Sequence, residues 1–170
     1  FKSGLVTTEC VQFDLPQYRL SETATITVLA PSLNGVINTK AVNVKSTTDS
    51  TTGIDLTLDE TSENSGTFTG TFTFTKTGTS SGSILKASAG DTITADTGVQ
   101  TSTASIYPIT VAFDSAGYTL ESRALVTVTD QNSNTNSGSP QSITVSVSTP
   151  TESVSLVLKE TGDDTGIFAK

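Results

Sequence analysis

Residues 11–29 read VQFDLPQYRLSETATITVL, and residues 111–129 read VAFDSAGYTLESRALVTVT. One hundred positions separate Val11 from Val111, Phe13 from Phe113, Asp14 from Asp114, Tyr18 from Tyr118 and Leu20 from Leu120. The same offset pairs Ala24 with Ala124 and Val28 with Val128, then Leu56 with Leu156 and Leu58 with Leu158. It continues through Glu60 and Glu160, Thr61 and Thr161, Gly66 and Gly166, and Phe68 and Phe168. One register slip lies between, where AVNVKS (41–46) meets SITVSVS (142–148), and it is compensated before Leu56. Matches spread along the chain, at charged and apolar positions alike, mark an internal repeat. The first copy is whole, over about residues 11–110. The second reaches Lys170, the counterpart of Gly70, and has no equivalent of TFTFTKTGTSSGSILKASAGDTITADT (71–97).

The apolar period within each copy is two. TATITVL (23–29) alternates Ala24, Ile26 and Val28 with Thr, and IDLTL (54–58) alternates Ile54, Leu56 and Leu58 with polar residues. TFTGTFTFT (67–75) sets Phe68, Phe72 and Phe74 on one side and Thr on the other. ALVTVTD (124–130), SITVSVS (142–148) and VSLVL (154–158) follow the same rule. Alternation places one strand face in a core and one in water, as in antiparallel sheets. Thr suits the wet face because β-branched side chains fit the pleated backbone. Turn-formers punctuate the strands at TTDSTTG, SENSG, QNSNTNSGSP and TGDDTG, and no helical pattern is found. A repeat of this length, built of short strands, matches an immunoglobulin-like sandwich. The expected fold is all-β, with two tandem Ig-like β-sandwich domains. Residues 1–10 are an N-terminal extension, 11–96 the first sandwich, 97–105 a Gly/Ser/Thr linker, and 106–170 a second, incomplete sandwich.

Composition removes several kinds of function. The chain has 170 residues, 34% hydrophobic and 15% charged, and Ser with Thr makes up about a third. With 9 Lys and Arg against 17 Asp and Glu, the net charge is −8, which repels phosphate backbones and disfavours nucleic acid. His and Trp are absent and Cys10 is alone. A His-based triad, a His-ligated zinc site, a thiolate zinc cluster and an internal disulfide are therefore excluded within one chain. No apolar run is long enough for a spanning helix. No GxxxxGK[ST] phosphate loop and no nucleophile–base pairing is evident, so no enzymatic activity is expected. No Asn stands in N-x-[ST] with x other than Pro, but dense Ser and Thr leave room for O-linked glycans.

Two acidic or amide-rich runs are candidate cation ligands. Asp130, Asn132, Asn134 and Asn136 space oxygens at alternate positions, like the opening of a calcium loop. The run has one carboxylate, no Gly at the turning position and no closing Glu, so a polar hairpin turn competes with calcium. Glu160, Asp163 and Asp164, with Glu60 and Glu63 in the first copy, form a second such run. Its alternative reading is a solvated acidic turn. Apart from calcium, no cofactor is expected.

A sandwich without its last strands leaves apolar residues uncovered and an edge unpaired. Three readings are open: the chain continues naturally, closes on itself, or borrows a strand. In the last reading Phe1, Leu5 and Val6 of the extension are the donor, and Leu156, Leu158 and Phe168 of another copy the acceptor. Such a head-to-tail contact does not close, and it builds filaments.

The pattern FDxxxYxLxxxAxxTV…LxLxETxxxxGxF, at 13–68 and again at 113–168, resembles tandem Ig-like repeats of secreted prokaryotic surface proteins. Archaeal surface-layer proteins and donor-strand-linked extracellular filaments are among them. The resemblance implies an extracellular, cell-surface structural role as a homopolymer, and it carries no catalytic residues. An adhesin or carbohydrate-binding stalk module is the alternative.

Overall fold

The computed structural model describes residues 8–30 and 36–170. Among them there are strands and turns but no α-helix, and no helix long and apolar enough to cross a membrane. The chain forms two compact units, Phe1–Ile106 and Tyr107–Lys170.

The first unit contains β1 (Cys10–Phe13), β2 (Gln17–Tyr18), β3 (Thr23–Leu29), β4 (Thr39–Ser46), β5 (Ile54–Glu60), β6 (Thr67–Thr75), β7 (Ile84–Lys86), β8 (Thr92–Asp96) and β9 (Thr101–Ile106). They form one nine-stranded sheet in the order β1-β3-β6-β5-β4-β8-β9-β2, with β7 added in parallel to β6. β1 and β2 lie at opposite ends of that order, yet only Asp14, Leu15 and Pro16 separate them. Four residue steps span at most about 14 Å. The sheet therefore curls until its two ends meet, and β1 packs against β9. Alternate residues face inward along each strand: Ala24, Ile26 and Val28 on β3, Val42 and Val44 on β4, Ile54, Leu56 and Leu58 on β5, and Phe68, Phe72 and Phe74 on β6. Tyr18 and Phe74 lie 5.8 Å apart between ring centroids, and Phe72 and Phe74 5.3 Å. This curled, double-faced arrangement is compatible with a β-sandwich.

The second unit contains β10 (Ile109–Phe113), β11 (Val126–Asp130), β12 (Ser142–Ser148), β13 (Ser153–Glu160) and β14 (Ile167–Ala169). They form a five-stranded antiparallel sheet in the order β10-β11-β14-β13-β12. Its registers repeat those of the first unit. Val11 pairs with Val28 and Val111 with Val128; Val28 pairs with Phe68 and Val128 with Phe168; Glu60 pairs with Phe68 and Glu160 with Phe168. The slip falls on the fourth strand: Val42 pairs with Leu56, whereas Val145, 103 positions after Val42, pairs with Leu156. β10 to β14 thus reproduce β1, β3, β4, β5 and the start of β6, and nothing in the second unit corresponds to β7, β8 or β9. Its buried core is small: Val126, Val128, Leu158 and Phe168, with Ile143, Val145, Val147 and Leu156 partly buried around them.

One boundary differs from the sequence reading. Residues 97–105 are not a joint, because Thr101–Ile106 is a strand of the first unit that pairs with β8 and β2. Their composition is that of a linker, but Ala104 and Ile106 fall on the inward positions and are buried. The alternation of side chains along the segment, not its polar composition, makes it a strand. Cys10 likewise belongs to β1 rather than to a separate extension, and Glu9 is tied to the unit by an ion pair with Lys40 at 2.5 Å.

Gly70 occupies the inward row of β6 between Phe68 and Phe72. A Cβ there would stand 2.5 Å from Leu58 Cδ2, inside the fully buried core. Gly70→Val should destabilise the first unit by about 1–3 kcal/mol through overpacking. Denaturant unfolding monitored at residues of β3 and β6 checks this, with Thr71→Val, on the exposed face of the same strand, as the control.

Candidate assembly site

Two short-range constructions recur in both units and position what surrounds them. The first is the FDxxxY segment. In the first unit Asp14 Oδ1 accepts the Tyr18 hydroxyl at 2.5 Å and the Thr25 amide at 2.8 Å, while the Leu15 amide donates to the Tyr18 oxygen at 3.1 Å. In the second, Asp114 Oδ1 accepts the Tyr118 hydroxyl at 2.6 Å and the Leu125 amide at 2.7 Å, and the Ser115 amide donates to the Tyr118 oxygen at 3.0 Å. The ring pairs match too. Phe13 and Tyr18 stand 6.2 Å apart at 65°, and Phe113 and Tyr118 stand 6.2 Å apart at 66°.

The second construction is a carboxylate clamp at the end of the ETxxxxGxF segment. Glu60 Oε2 accepts the amide of Asn38 at 3.0 Å and Oε1 that of Gly66 at 2.9 Å. Glu160 Oε2 accepts the amide of Gln141 at 3.0 Å, and Oε1 accepts those of Thr165 at 2.9 Å and Gly166 at 2.8 Å. Both carboxylates are buried. Gly66 and Gly166 take φ of 62° and 61°, the left-handed region where Gly carries no Cβ penalty. The clamp fastens the turn before β6 or β14 to the start of β4 or β12. Burial alone would raise the pKa of Glu160, but the amides of Gln141, Gly166 and Thr165 outweigh it, and the pKa is lowered. These acids are thus structural acceptors, not a solvated turn. The signal was present in the repeat of Glu and Gly six residues apart, but its meaning depended on turn conformation.

The surroundings of these matched parts differ sharply. Val11 is 7% exposed and Val111 63%; Tyr18 is 0% exposed and Tyr118 40%; Ile54 is 4% exposed and Val154 55%. The cause is the covering layer. In the first unit β9 packs against β1, Tyr18 pairs with Ile106, and β8 pairs with the outer edge of β4. In the second unit the same positions have no such layer. The tyrosine pKa shifts carry the same contrast. Burial is the leading cause that raises Tyr18, with Asp14 second, whereas for Tyr118 the hydrogen bond to Asp114 leads and burial follows. The Tyr118 hydroxyl, then the Leu125 amide, lower the pKa of Asp114.

Cross-strand pairing puts these residues on one face. Val111 and Phe113 lie opposite Val128 and Val126, and Val145 and Val147 opposite Leu156 and Val154. Phe168 and Leu158 form the buried floor between them. Of the acceptor residues read from the sequence, Leu158 and Phe168 are therefore fully buried in their own unit and Leu156 is half-buried. The accessible part is the rim, Val111, Phe113 and Tyr118 on one side and Val147 and Val154 on the other. The donor residues Phe1, Leu5 and Val6 lie outside the described residues.

The Asp130–Asn136 run sits at the end of β11. Asp130 accepts the Asn132 amide at 3.0 Å and the Ser133 hydroxyl at 2.6 Å. Asn132 Nδ2 donates to the Tyr107 carbonyl at 2.8 Å, and Asn134 Nδ2 to Asp164 at 2.7 Å. Asn136 is exposed and holds the Gly138 amide at 2.9 Å. Asn134 Oδ1 is buried without a hydrogen-bond partner. Among the described residues no three His, Cys, Asp or Glu side chains are grouped to hold a metal ion.

No known protein-family model matches this chain, and no curated protein matches it either.

Because the pKa of Glu160 is depressed in the folded unit, its stabilisation is complete above the unfolded value of 4.5 and is lost as pH falls through the folded one. The second unit should lose stability on acidification below about pH 4.5. Glu160→Gln should cost about 1–3 kcal/mol at neutral pH and flatten that acid dependence. Amide exchange at Thr165 and Gly166 between pH 3 and 6 measures both effects.

Proposed function

We propose that this chain is a non-enzymatic structural subunit of an extracellular filament or surface layer. It is built of Ig-like β-sandwich domains and joins head to tail by β-strand complementation at the second unit. One observation carries the reading: Val11, Tyr18 and Ile54 are buried in the first unit, while their counterparts Val111, Tyr118 and Val154 are open in the second. A contiguous apolar face is unusual on a free-standing domain and marks an interaction surface. The donor and acceptor are different surfaces, so each bound molecule offers a fresh acceptor, and the assembly propagates. Residues Phe1, Leu5 and Val6 of a neighbouring copy are the proposed donor strand. They precede Glu9, whose ion pair with Lys40 binds that segment to the first unit. Thr-rich outward faces, low charge density and the absence of His and Trp suit a passive building block that accepts O-linked glycans.

A binding stalk is the second reading, and a groove on the first unit bears on it. Thr48, Asp49, Thr52, Thr79, Ser80 and Lys86 line it. It offers hydroxyls and one charge of each sign but no aromatic ring for a sugar to stack on, which favours the assembly reading.

Negative-stain electron microscopy and sedimentation of the full chain test the proposal. Regular polymers are expected from the native chain, and monomers from Val154→Asp and from a chain lacking residues 1–8, with the first unit still folded in both. Polymers that persist without residues 1–8 would remove the donor assignment. A native chain that stays monomeric at high concentration would remove the filament.

A further inference from the structure

We infer that the second unit binds a calcium ion between residues 130–134 and the turn at residues 163–166, through Asn134 Oδ1 and the carboxylates of Asp130 and Asp164. The site is independent of how the chain assembles.

Hydrogen bonds sew the loop that follows β11 along that turn. The Asp130 amide donates to the Gly166 carbonyl at 2.8 Å, Gln131 Nε2 to the Thr165 carbonyl at 2.7 Å, and Asn134 Nδ2 to Asp164 Oδ1 at 2.7 Å. Asn134 is 2% exposed, and its Oδ1 is buried without a hydrogen-bond partner. A carboxamide oxygen offers two lone pairs, and removing it from water without a partner forfeits its hydration. The nitrogen of the same carboxamide holds the Asp164 carboxylate beside that oxygen. A cation at Oδ1 would supply the missing partner and meet the carboxylate at once. Asn136, the fourth residue of the sequence pattern, is exposed and turned to the Gly138 amide, and Asp164 takes its place.

The first unit is an internal comparison, because its backbone here is the same. The Ala30 amide donates to the Gly66 carbonyl at 2.7 Å, as the Asp130 amide does to Gly166. The Thr61 amide donates to the Thr67 carbonyl and the Thr161 amide to that of Ile167, both at 2.8 Å. Yet Ala30 stands where the second unit has Asp130, and Asn64 where it has Asp164. These backbone bonds form in the first unit without either acid, so they do not explain the acids. Two carboxylates enter together, on segments distant in sequence, in a chain whose net charge is already −8. A buried water would satisfy Asn134 Oδ1 but would not offset the added charge; a cation does both.

The donors are all oxygen, which selects a hard cation. An irregular loop suits calcium, with 6–8 ligands at about 2.3–2.6 Å, better than the strict octahedron of magnesium. Among the described residues no three His, Cys, Asp or Glu side chains are grouped, so the donor set is not that of zinc. Two carboxylates with waters completing the shell correspond to weak binding, with Kd about 0.1–1 mM. The ion would staple the loop to the turn that Glu160 grips from its other side, in the unit with the smaller core.

Titration of the EGTA-treated full chain with CaCl2 at neutral pH, followed by amide NMR, tests the site. The amides of residues 130–134 and 163–166 should shift saturably, with a midpoint of about 0.1–1 mM, and those of residues 63–66 should not follow. At about 10 mM calcium the unfolding equilibrium of the second unit should move about 10- to 100-fold toward the folded state, read by hydrogen exchange in β11 and β14. Asp164→Asn keeps an acceptor for Asn134 Nδ2 and restores the residue found in the first unit, so it should fold and weaken the calcium response at least about tenfold. Asn134→Asp should destabilise the second unit in EGTA and regain stability in calcium, which a purely structural amide would not do. No saturable shift in the native chain up to about 10 mM calcium overturns the site. So does an equal response to magnesium, or to sodium chloride at matched ionic strength. A calcium response undiminished by Asp164→Asn, or a loss of stability in Asn134→Asp that calcium leaves unchanged, overturns it as well.

Discussion

Val11 and Tyr18 are core residues because β9 packs against β1 and pairs beside β2 while Phe74 of β6 closes on Tyr18, and where those parts have no counterpart Val111 and Tyr118 are surface. The physical constraint is general: a sheet with one apolar face needs a second layer about 10 Å away, or that face stays wet. The first unit meets it by curling a single sheet until β1 lies against β9. The second has the strands up to the start of β6, and its inward apolar row is buried only where the curl of five strands shelters it, at Val126, Val128, Leu158 and Phe168. Burial of a large apolar side chain contributes about 1.5–3 kcal/mol. Four fully sheltered residues in 64 leave such a unit close to the limit at which a small core holds itself together. The clamp at Glu160 and the Asp114–Tyr118 pair therefore matter more there than their counterparts do in the first unit, where a large core supports the same turns.

The strands and their inward faces were legible because the repeat and the period of two point the same way. TATITVL, TFTGTFTFT and SITVSVS became β3, β6 and β12 with the bounds that their alternation marks. What escaped was carried by polar residues. TSTASI looks like a linker, since its inward positions hold only Ser, Ala and Ile, and a small side chain suffices where two layers approach closely. Glu60 and Glu160 look like solvent-facing acids, because nothing local shows that three or more N–H donors converge on each. Leu158 and Phe168, read from the sequence as acceptor residues, are sheltered within their own unit, since a pattern of alternation identifies a face without saying which part of it a neighbouring strand already hides.

The edge of β12 bears on whether the open face is suited to a partner. Exposed edges are usually blunted by Lys, Pro, a bulge or a charge turned inward. Ser142–Ser148 has none of these. It is seven residues of strict alternation, Ile143, Val145 and Val147 inward and Ser or Thr outward, without a charge. β4, whose edge is filled by β8, carries Lys40 and Lys45 over the same length. The strand with the uncovered edge is thus the one with less protection, the reverse of what guarding against unwanted pairing would produce. In a chain of net charge −8, the lack of any charge on this edge leaves backbone pairing unopposed there.

Such an edge would be an aggregation hazard if nothing set its register, and the second unit does set it. Asp114 and Tyr118 hold the geometry of Asp14 and Tyr18 to within about 0.1 Å in the shared hydrogen bonds, although no strand covers them. The clamp at Glu160 fixes the start of β12 as Glu60 fixes that of β4. A strand added at that face would meet side chains already placed as they are in the closed unit, and little ordering of the second unit would remain. Preorganisation of this kind lowers the free energy that association must overcome and narrows the registers that fit. A one-residue slip of such a strand would turn its polar row toward Val147 and Val154, burying polar groups against hydrocarbon without partners. Any selectivity at this face would therefore reside in the alternation of the strand that covers it.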